Sequence, residues 1–300
     1  MGATIYSGNF QDTLEPIARV SFKLGLGREV MGRRDFFFKV EKSDKDTETY
    51  LELGDIGSVP EFDGELEFAT MQQGYKMTIQ QKEYGLGLRL QYKWVRTDQL
   101  RVAKQLPEML GLSMRRRIAA DSLVWWNNSF NTTLTTKDGL ALCSSAHTSN
   151  NGGSNQSNRI TSPFSAVNLT AAKITMRKFV SNTDQVIDIQ PDMLIGAIDL
   201  EDAFDEVNKS DGKMDTAFVN MFNVHKGKYT TVTDVRIPDS NNWGLIDSEL
   251  MKKYNIWNEV DPIEFKKDSN FEGRIAKYAV WAFYGYGVID WTWILGSEVS

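Results

Sequence analysis

Apolar and polar side chains alternate between residues 75 and 94, and this pattern restricts the possible folds more than any other part of the sequence. Such alternation places successive side chains on opposite faces of a β-strand. It occurs over 75–79 and again over 86–94, which predicts two consecutive strands joined as a long hairpin. An isolated two-stranded ribbon is marginally stable in water, so we expect this hairpin to dock on a surface outside itself.

The segment that follows, residues 98–128, has the periodicity of a long helix. Asp98 is a suitable N-cap, and Trp125 and Trp126 lie near the far end. The apolar residues between them recur every four positions: Leu106, Leu110, Met114 and Ile118. Pro107 either kinks this helix or lies in the first turn of its main segment, because an interior proline removes one backbone hydrogen bond. About 22 residues at ~1.5 Å each predict a rod about 33 Å long.

The N-terminal region is predicted to be an arm with a short amphipathic helix. Its apolar residues fall at helical spacing: Leu14, Ile17, Ala18 and Phe22. Pro16 is compatible with a first turn opened by Asp12 or Thr13, and Gly25 and Gly27 stop the helix. A helix of this kind needs a surface to lie on, either in the same chain or in a neighbour.

The rest of the sequence predicts a mixed α/β domain in the second half of the chain. Apolar content falls between residues 132 and 168, where Ser, Thr, Asn and Gly dominate, and this predicts an exposed loop. Residues 199–202, Asp-Leu-Glu-Asp, resemble a capping box that opens a helix through Val207. The other predicted elements are strands over 35–40, 186–189, 193–198, 229–237 and 243–246, a helix over 170–180, and a strand-rich stretch over 274–295.

Composition excludes several classes of protein. With 41% hydrophobic and 25% charged residues, the chain is globular rather than disordered or fibrous. Its net charge of −6 argues against a protein that mainly grips phosphate backbones, so any nucleic-acid contact is expected to be local or weak. Cys143 is the single cysteine, which excludes an intramolecular disulfide and a multi-cysteine zinc site. The first residues lack the pattern of a secretory signal and no apolar run reaches the length of a membrane span, so we expect synthesis in a reducing cytoplasm.

Two histidines and the cysteine are the first candidates for chemistry. His147 lies close to Cys143 in sequence, but a nucleophilic dyad needs a base fixed by a third group and a dry pocket. Both residues border a polar loop, so we interpret them as a turn histidine beside a half-buried cysteine. We interpret His225 as a solvated loop residue, because no second histidine or cysteine stands at metal-ligand spacing.

Other polar or aromatic groups also have structural interpretations. Gly85 and Gly87 lie inside an alternating strand and do not form a dinucleotide fingerprint. The three arginines at 115–117 would touch phosphate or acidic groups in one interpretation, but a solvated helix face is favoured. One set of acidic residues suits the dipole of a helix start better than a divalent cation: Asp199, Glu201, Asp202, Asp205 and Glu206. Six tryptophans are assigned to core packing: Trp94, Trp125, Trp126, Trp281, Trp291 and Trp293. We predict no catalytic, cofactor-binding or metal-binding residue.

The order of these parts resembles the major capsid proteins of tailed bacteriophages, whose shared architecture is the HK-ninety-seven-like fold. Within that group the sequence is most similar to the Mu-type major head subunit. Five segments carry the resemblance and together span most of the chain: 57–64, 98–100 with 106–111, 138–142 with Ala146 and His147, 187–195, and 284–291. Their order and spacing are more specific than any one of them.

This resemblance implies an α+β shell protein that is not an enzyme and has no cofactor. It implies an N-terminal arm over 1–34, an extended loop with flanking strands over 35–96 that reaches over an adjacent subunit, a peripheral domain with the spine helix over 97–168, and an axial domain over 169–300 whose C-terminal strands return toward the peripheral domain. The implied partners are copies of the same chain in pentamers and hexamers, scaffold or portal proteins, decoration proteins, and packaged DNA held by non-specific contact only. The implied location is the virion capsid, assembled in the host cytoplasm without a membrane.

Three alternatives stay open at this point. A bacterial compartment shell of the same fold, similar to an encapsulin, stores protein cargo instead of DNA. A hydrolase would use Cys143 and His147, whereas a tail or receptor-binding component would assemble as a trimer or a tube. A shell is favoured because the arm and the predicted hairpin carry apolar surface that we expect only sister molecules to cover. Repetition of one heterologous contact then generates rings and curved sheets.

Overall fold

The computed structural model describes residues 7–27, 29–53, 59, 61–64, 66, 68, 73–91, 100–149, 153–181, 183–212, 222–270 and 275–299. Its helices are α1 (Ser7–Leu26), α2 (Glu29–Phe37), α3 (Leu100–Asp121), α4 (Val124–Asn127), α5 (Ala166–Met176), α6 (Glu201–Lys209) and α7 (Ser248–Tyr254), with a 3-10 turn over Ile198–Leu200. Its strands are β1 (Lys39–Lys42), β2 (Thr47–Leu53), β3 (Gln73–Gln80), β4 (Lys82–Gln91), β5 (Arg159–Ile160), β6 (Met193–Ala197), β7 (Thr230–Asp234), β8 (Trp243–Ile246), β9 (Asn255–Asn270), β10 (Ile275–Val288) and β11 (Ile294–Ser297).

The chain divides into two units, each made from several separate stretches of sequence. The helical unit consists of Met1–Glu48, Gln80–Ser122 and Trp257–Tyr286. The five-stranded unit consists of Thr49–Ile79, Leu123–Ile256 and Gly287–Ser300. The predicted domains are consecutive ranges, whereas residues 257–286 belong to the same unit as residues 80–122, because β9 and β10 return to pair with earlier strands. The peripheral and axial roles of these parts stay predictions.

In the helical unit, α1 packs along α3 of the same chain. Ala18 and Phe22 of α1 are buried. Two glycines let the helix backbones approach closely: a Cβ atom on Gly25 would lie 2.0 Å from the carbonyl oxygen of Glu108, and one on Gly111 would lie 2.3 Å from that of Phe22. The predicted N-terminal helix is confirmed, but its apolar face is covered by its own chain, so the expectation that only a sister molecule covers it is wrong for α1.

The two alternating segments form strands, but these strands do not pair with each other. β4 pairs antiparallel with β10, from Lys82 opposite Tyr284 to Gln91 opposite Ile275. β3 pairs instead with β2 in a two-stranded sheet. The predicted hairpin is therefore wrong, because β10 offers β4 a partner along its whole length and tertiary pairing outweighs adjacency in sequence. We call the β2–β3 sheet the ribbon.

The sheet of the helical unit has the strand order β1-β9-β10-β4. Along β10, buried and more exposed residues alternate, as expected for a sheet with one covered face. Trp257 of β9 stacks on Tyr284 of β10 with ring centroids 4.5 Å apart, and Phe38 meets Trp257 edge-on at 5.4 Å. This aromatic layer forms much of the core of the helical unit.

The five-stranded unit is built on a sheet of order β5-β11-β8-β6-β7. β6 runs parallel to β7 and antiparallel to β8. All residues of β6 and β8 are buried, which is why both strands appear in the sequence as short continuous apolar runs. Trp125 of α4 packs against Trp293 at 5.3 Å beside this sheet. The predicted strands at 193–198 and 243–246 are confirmed.

Several local predictions need correction. The strand predicted at 35–40 is the end of α2, and β1 begins only at Lys39. The strand predicted at 186–189 is reduced to an isolated bridge between Val180 and Val186. Instead of a capping box, Leu200 is the N-cap of α6 and makes no side-chain capping bond. β9 was not predicted, because its charged residues conceal the alternation of a half-covered strand.

The helix predictions also shift at their ends. Pro16 and Pro107 both lie inside their helices, α1 and α3, rather than in a first turn. The helix predicted at 170–180 begins earlier, at Ala166, because Ser165 caps it by accepting a hydrogen bond from the Asn168 amide at 3.2 Å. The proposed N-cap of the long helix, Asp98, lies outside the described residues. Among the residues that are described, no helix is long and apolar enough to cross a membrane.

Candidate assembly surface

The segment between β2 and β3 exposes large apolar side chains. Four of them are described, and we call them the tip: Val59 is 92% exposed, Phe62 70%, Leu66 75% and Phe68 90%. Single exposed apolar residues are normal on protein surfaces, but several within ten positions of one segment mark a contact site. The tip is therefore the strongest candidate for a surface that binds another protein.

A buried ion cluster fixes the base of the ribbon in the five-stranded unit. Lys137 donates to Glu52 of β2 at 2.6 Å and to Asp290 at 2.7 Å, and the three side chains are only 12%, 18% and 9% exposed. Burial lowers the pKa of Lys137, but the two carboxylates outweigh burial and raise this pKa above its usual range. The ammonium group therefore stays charged and links the ribbon to the loop that carries Asp290. We call these three residues the clasp.

A second contact supports the ribbon from its other strand. The Tyr75 hydroxyl of β3 lies 3.0 Å from Thr148 Oγ1, and the Tyr75 amide donates to Glu52 at 3.3 Å. Together with the clasp, these residues line a polar cleft of about 370 Å³ that also includes Trp291. Because its carboxylates and Lys137 already pair with one another, the cleft is suited to holding the ribbon rather than to chemistry.

His147 lies inside a hydrogen-bonded network and not beside a reactive thiol. Its Nδ1 is 2.6 Å from Asp138 Oδ2, its Nε2 is 3.0 Å from Asn158 Oδ1, and its ring stacks on Trp291 at 4.3 Å. Burial raises the pKa of Asp138, but hydrogen bonds from His147 and Thr136 outweigh it, so this pKa lies below its usual range. The prediction of an exposed loop at 132–168 is therefore wrong for the part that carries this network.

Cys143 is fully buried, and burial raises the pKa of its thiol to about 12. A thiol with this pKa is not a nucleophile near neutral pH. Both ring nitrogens of His147 are occupied by Asp138 and Asn158, so the histidine is not free to act as its base. The pair was predicted to be a turn histidine and a half-buried cysteine, but both side chains belong to the core, and the geometry gives no support to a hydrolase.

His225 is also buried, contrary to the prediction of a solvated loop residue. Its Nε2 lies 2.9 Å from Thr170 Oγ1 of α5, and its Nδ1 lies 3.3 Å from the Tyr229 hydroxyl. Burial lowers the pKa of His225, and the nearby Lys173 and Lys228 lower it further. The residue therefore joins the turn before β7 to α5.

In the helical unit, a buried carboxylate connects α3 to β10. Asp121 accepts a hydrogen bond from the Tyr284 hydroxyl at 2.7 Å and from Arg117 Nε at 2.8 Å. Burial raises the pKa of Asp121, although Tyr284 and Arg117 oppose this. Arg117 also lies over the Tyr84 ring at 4.5 Å, so one of the three arginines at 115–117 has a structural partner and is not simply a solvated side chain.

The other sequence candidates show no arrangement for chemistry. Within the described parts of the chain, no group of three or more His, Cys, Asp or Glu side chains is placed to hold a metal ion. Gly85 lies in β4 beneath Trp281, whose ring leaves no room for a Cβ atom, and Trp281 is 42% exposed rather than in the core. The remaining described tryptophans from the core assignment are buried, and Trp94 lies outside the described residues.

Sequence reasoning missed the clasp. Lys137 is separated from Glu52 by 85 positions and from Asp290 by 153, so nothing in the local pattern links them. One signal was available: Asp138, His147 and Asp290 all lie in segments that carry the capsid resemblance. A search for polar pairs among those residues would have found the contact of Asp138 with His147 but not the clasp, because Lys137 and Glu52 lie outside the segments.

Comparison with known proteins gives a family and a set of similar folds. The family described as phage capsid protein matches residues 74–296, well over half of the chain. No curated protein matches the sequence.

Three solved structures illustrate the likeness of fold. The structure described as the capsid of an empty GTA particle is 14% identical, with 91% of each chain covered and a TM-score of 0.55. The mature capsid of bacteriophage PhiM1 is 9% identical, covers 89% of this chain and 86% of its own, and has a TM-score of 0.55. Mycobacterium phage Patience gives 8% identity, 99% and 89% coverage, and a TM-score of 0.56. At these identities the likeness concerns the fold alone.

Proposed function

The chain belongs to the phage capsid protein family, and from that premise we propose that it assembles into a closed shell by burying the tip of its ribbon on a neighbouring copy of itself. It is a major capsid shell protein, and its α+β fold is the HK-ninety-seven-like fold of its structural neighbours. The compartment shell that stores protein cargo is not favoured by the family match. Its role is structural, and we propose no reaction for it.

The observation that carries this proposal is the exposure of the tip. Burial of one large apolar side chain contributes about 1.5–3 kcal/mol, so a neighbour that covers Phe62 and Phe68 alone gains several kcal/mol. The tip of one copy and the surface that receives it on the next are different, so the contact is heterologous and can repeat around a ring. Repetition over many subunits then makes a stable shell from modest contacts.

The segment roles follow the same logic. We propose that residues 35–96 include the extended loop that reaches an adjacent subunit, with the clasp fixing how it leaves its own unit. The N-terminal arm has a smaller part, because the exposed side of α1 offers a neighbour chiefly Val20 and Leu24. We assign the region of the long helix to a peripheral domain and much of 169–300 to an axial domain that gathers into pentamers and hexamers.

We further propose that the protein is most similar to the Mu-type major head subunit. Support comes from two segments of the resemblance that meet in one buried network: Asp138 and His147 belong to the first, and Trp291 belongs to the second. The shell would enclose DNA through non-specific contacts and would be assembled in the host cytoplasm before it becomes the virion capsid. Scaffold, portal and decoration proteins are proposed as further partners.

The experiment is to replace residues 54–72 with a short Gly-Ser linker, which leaves β2 and β3 intact. We expect a soluble chain with an unchanged thermal unfolding midpoint that forms no shells in negative-stain electron microscopy, whereas the unaltered chain forms shells or capsomer rings. Normal shells from the linker variant would contradict the role of the tip. A stable monomer of the unaltered chain at high concentration would contradict assembly itself.

A further inference from the structure

One surface of this acidic protein concentrates unpaired positive charge. Lys173 lies in the last turn of α5, and Arg177 follows one turn later as its C-cap, so both lie on the same side of the helix. The turn that carries Lys228 is held against this side, because His225 Nε2 lies 2.9 Å from Thr170 Oγ1 and the Lys228 amide donates to the His225 carbonyl at 3.2 Å. We call Lys173, Arg177 and Lys228 the basic cluster.

The cations of this cluster face one another rather than a carboxylate. Burial and the charges of Lys228 and Arg177 lower the pKa of Lys173. In the parts of the chain that the structure describes, none of the three forms an ion pair, whereas the neighbouring Lys226 pairs with Asp211. On a chain of net charge −6, this concentration of like charge creates a local positive potential that attracts anions.

We propose that the basic cluster binds the phosphate backbone of the DNA enclosed by the shell. This inference rests on the proposed function and deepens it by naming one contact point on the inner wall. Three cations on a helix end and an adjoining turn can neutralise neighbouring phosphates, because duplex DNA carries one negative charge per about 1.7 Å of its axis. Such contacts read no base sequence, so they hold DNA of any sequence.

A phosphate backbone fits this surface better than an acidic patch on a sister subunit. A protein interface would have to remove Lys173, Arg177 and Lys228 from water, and lysine is depleted in the cores of such interfaces. Contact with DNA instead leaves the ammonium groups largely hydrated and gains free energy from the release of counter-ions.

The test measures binding of the full-length chain to a short DNA duplex by fluorescence anisotropy over a series of salt concentrations. The variant K173Q/R177Q/K228Q removes the basic cluster. The matched control, K42Q/K82Q/K252Q, removes the same net charge from exposed lysines on β1, β4 and α7. About 0.9 counter-ions are released per phosphate contact, so the slope of log K against log salt should be shallower by roughly 3 for the cluster variant. Between 50 and 200 mM salt, the DNA affinity of the unaltered chain should therefore fall about 40-fold more than that of the variant.

An equal decrease of the salt-dependence slope in the cluster variant and in the control would overturn the inference, because the decrease would then reflect net charge alone. An unchanged DNA affinity combined with failed ring formation of the cluster variant in negative-stain microscopy would also overturn it and would assign the surface to a sister subunit. The same micrographs of the unaltered chain test the proposed function separately. Shells without a difference in salt dependence contradict only the basic cluster, whereas absence of shells contradicts the shell itself.

Discussion

The N-terminal helix and the ribbon both carry apolar side chains, but only those of the helix are covered by the same chain. The apolar face of α1 is covered by α3, with Phe22 only 4% exposed and the backbones in contact through Gly25 and Gly111. The tip of the ribbon has no such cover, and Phe68 is 90% exposed. The first segment belongs to the fold of one molecule and the second is available to another.

This difference separates folding from assembly. Substitutions where α1 meets α3 should lower the free energy of unfolding of a single chain, while substitutions at the tip should leave that free energy unchanged and alter only the concentration at which shells form. A chain of this design can fold alone and still carry an adhesive surface. Its assembly is then controlled by concentration and by whatever masks the tip.

The largest expected effect is at the tip. Changing Val59, Phe62, Leu66 and Phe68 to Ser removes several side chains worth about 1.5–3 kcal/mol each on burial, so shell formation should be abolished at concentrations where the unaltered chain assembles. Light scattering measures assembly, and urea unfolding should give an unchanged midpoint. The control E61Q/D63N alters charge in the same segment and should assemble normally. Shells from the Ser variant would show that the tip, like the covered face of α1, is not needed for assembly.

The clasp comes next, because it joins the ribbon to its own unit. Lys137→Met leaves two buried carboxylates facing each other, which should cost about 3 kcal/mol of unfolding free energy in chemical denaturation. Hydrogen exchange should rise over β2 and β3 before the rest of the five-stranded unit. Lys137→Arg keeps the charge and should recover part of the loss. Equal exchange of the ribbon in the Met variant and in the unaltered chain would mean that the clasp does not hold it.

A smaller effect is expected where α1 meets α3. Gly111→Ala would gain about 1 kcal/mol of helix propensity, but its Cβ would lie 2.3 Å from the Phe22 carbonyl oxygen, so the helices must separate. We expect a net loss of about 1–2 kcal/mol in chemical denaturation. Leu24→Ala, on the exposed side of α1, is the control and should change stability little. Unaltered stability with impaired shells would instead place α1 at an interface.

The smallest effect is a dependence on pH in the loop beside the clasp. Because the fold lowers the pKa of Asp138 below its ordinary value of 3.8, its stabilising contribution is complete above about pH 4 and is lost as the pH falls through the lowered pKa. Asp138→Asn should therefore cost about 1 kcal/mol at pH 7, and the difference should shrink below pH 4. Unfolding free energies measured from pH 3 to 7 test this. A difference that grows in acid would contradict the assigned direction.

The sequence predicted individual helices and strands better than it predicted which strands pair. β8 was predicted with its observed ends because all four of its residues are buried and apolar, and α3 was predicted by its four-residue apolar repeat. The pairing of β4 with β10 could not be predicted, because β3 has the same alternation and lies nearer in sequence. α2 was mistaken for strand because Phe36, Phe37 and Phe38 suit either structure until tertiary contacts decide.

The candidate surface was predicted in part. The resemblance implied an extended loop with flanking strands over residues 35–96, and the exposed Phe62 and Phe68 lie there. Burial of His147 and His225 was not expected, because a polar sequence gives no sign that distant groups such as Asn158 and Thr170 satisfy the hydrogen bonds of these side chains. Polar networks are the part of a core that residue type alone does not reveal.

Because Cys143 is fully buried, the native chain is suited to site-specific labelling at an introduced cysteine. A maleimide dye or spin label reacts with an accessible thiolate, and this sulfur has neither access nor a low pKa. A cysteine introduced at an exposed position such as Asp63 would thus be the one modified, without first deleting the natural residue. Distances between such probes would report, in solution and in real time, when one molecule meets the next.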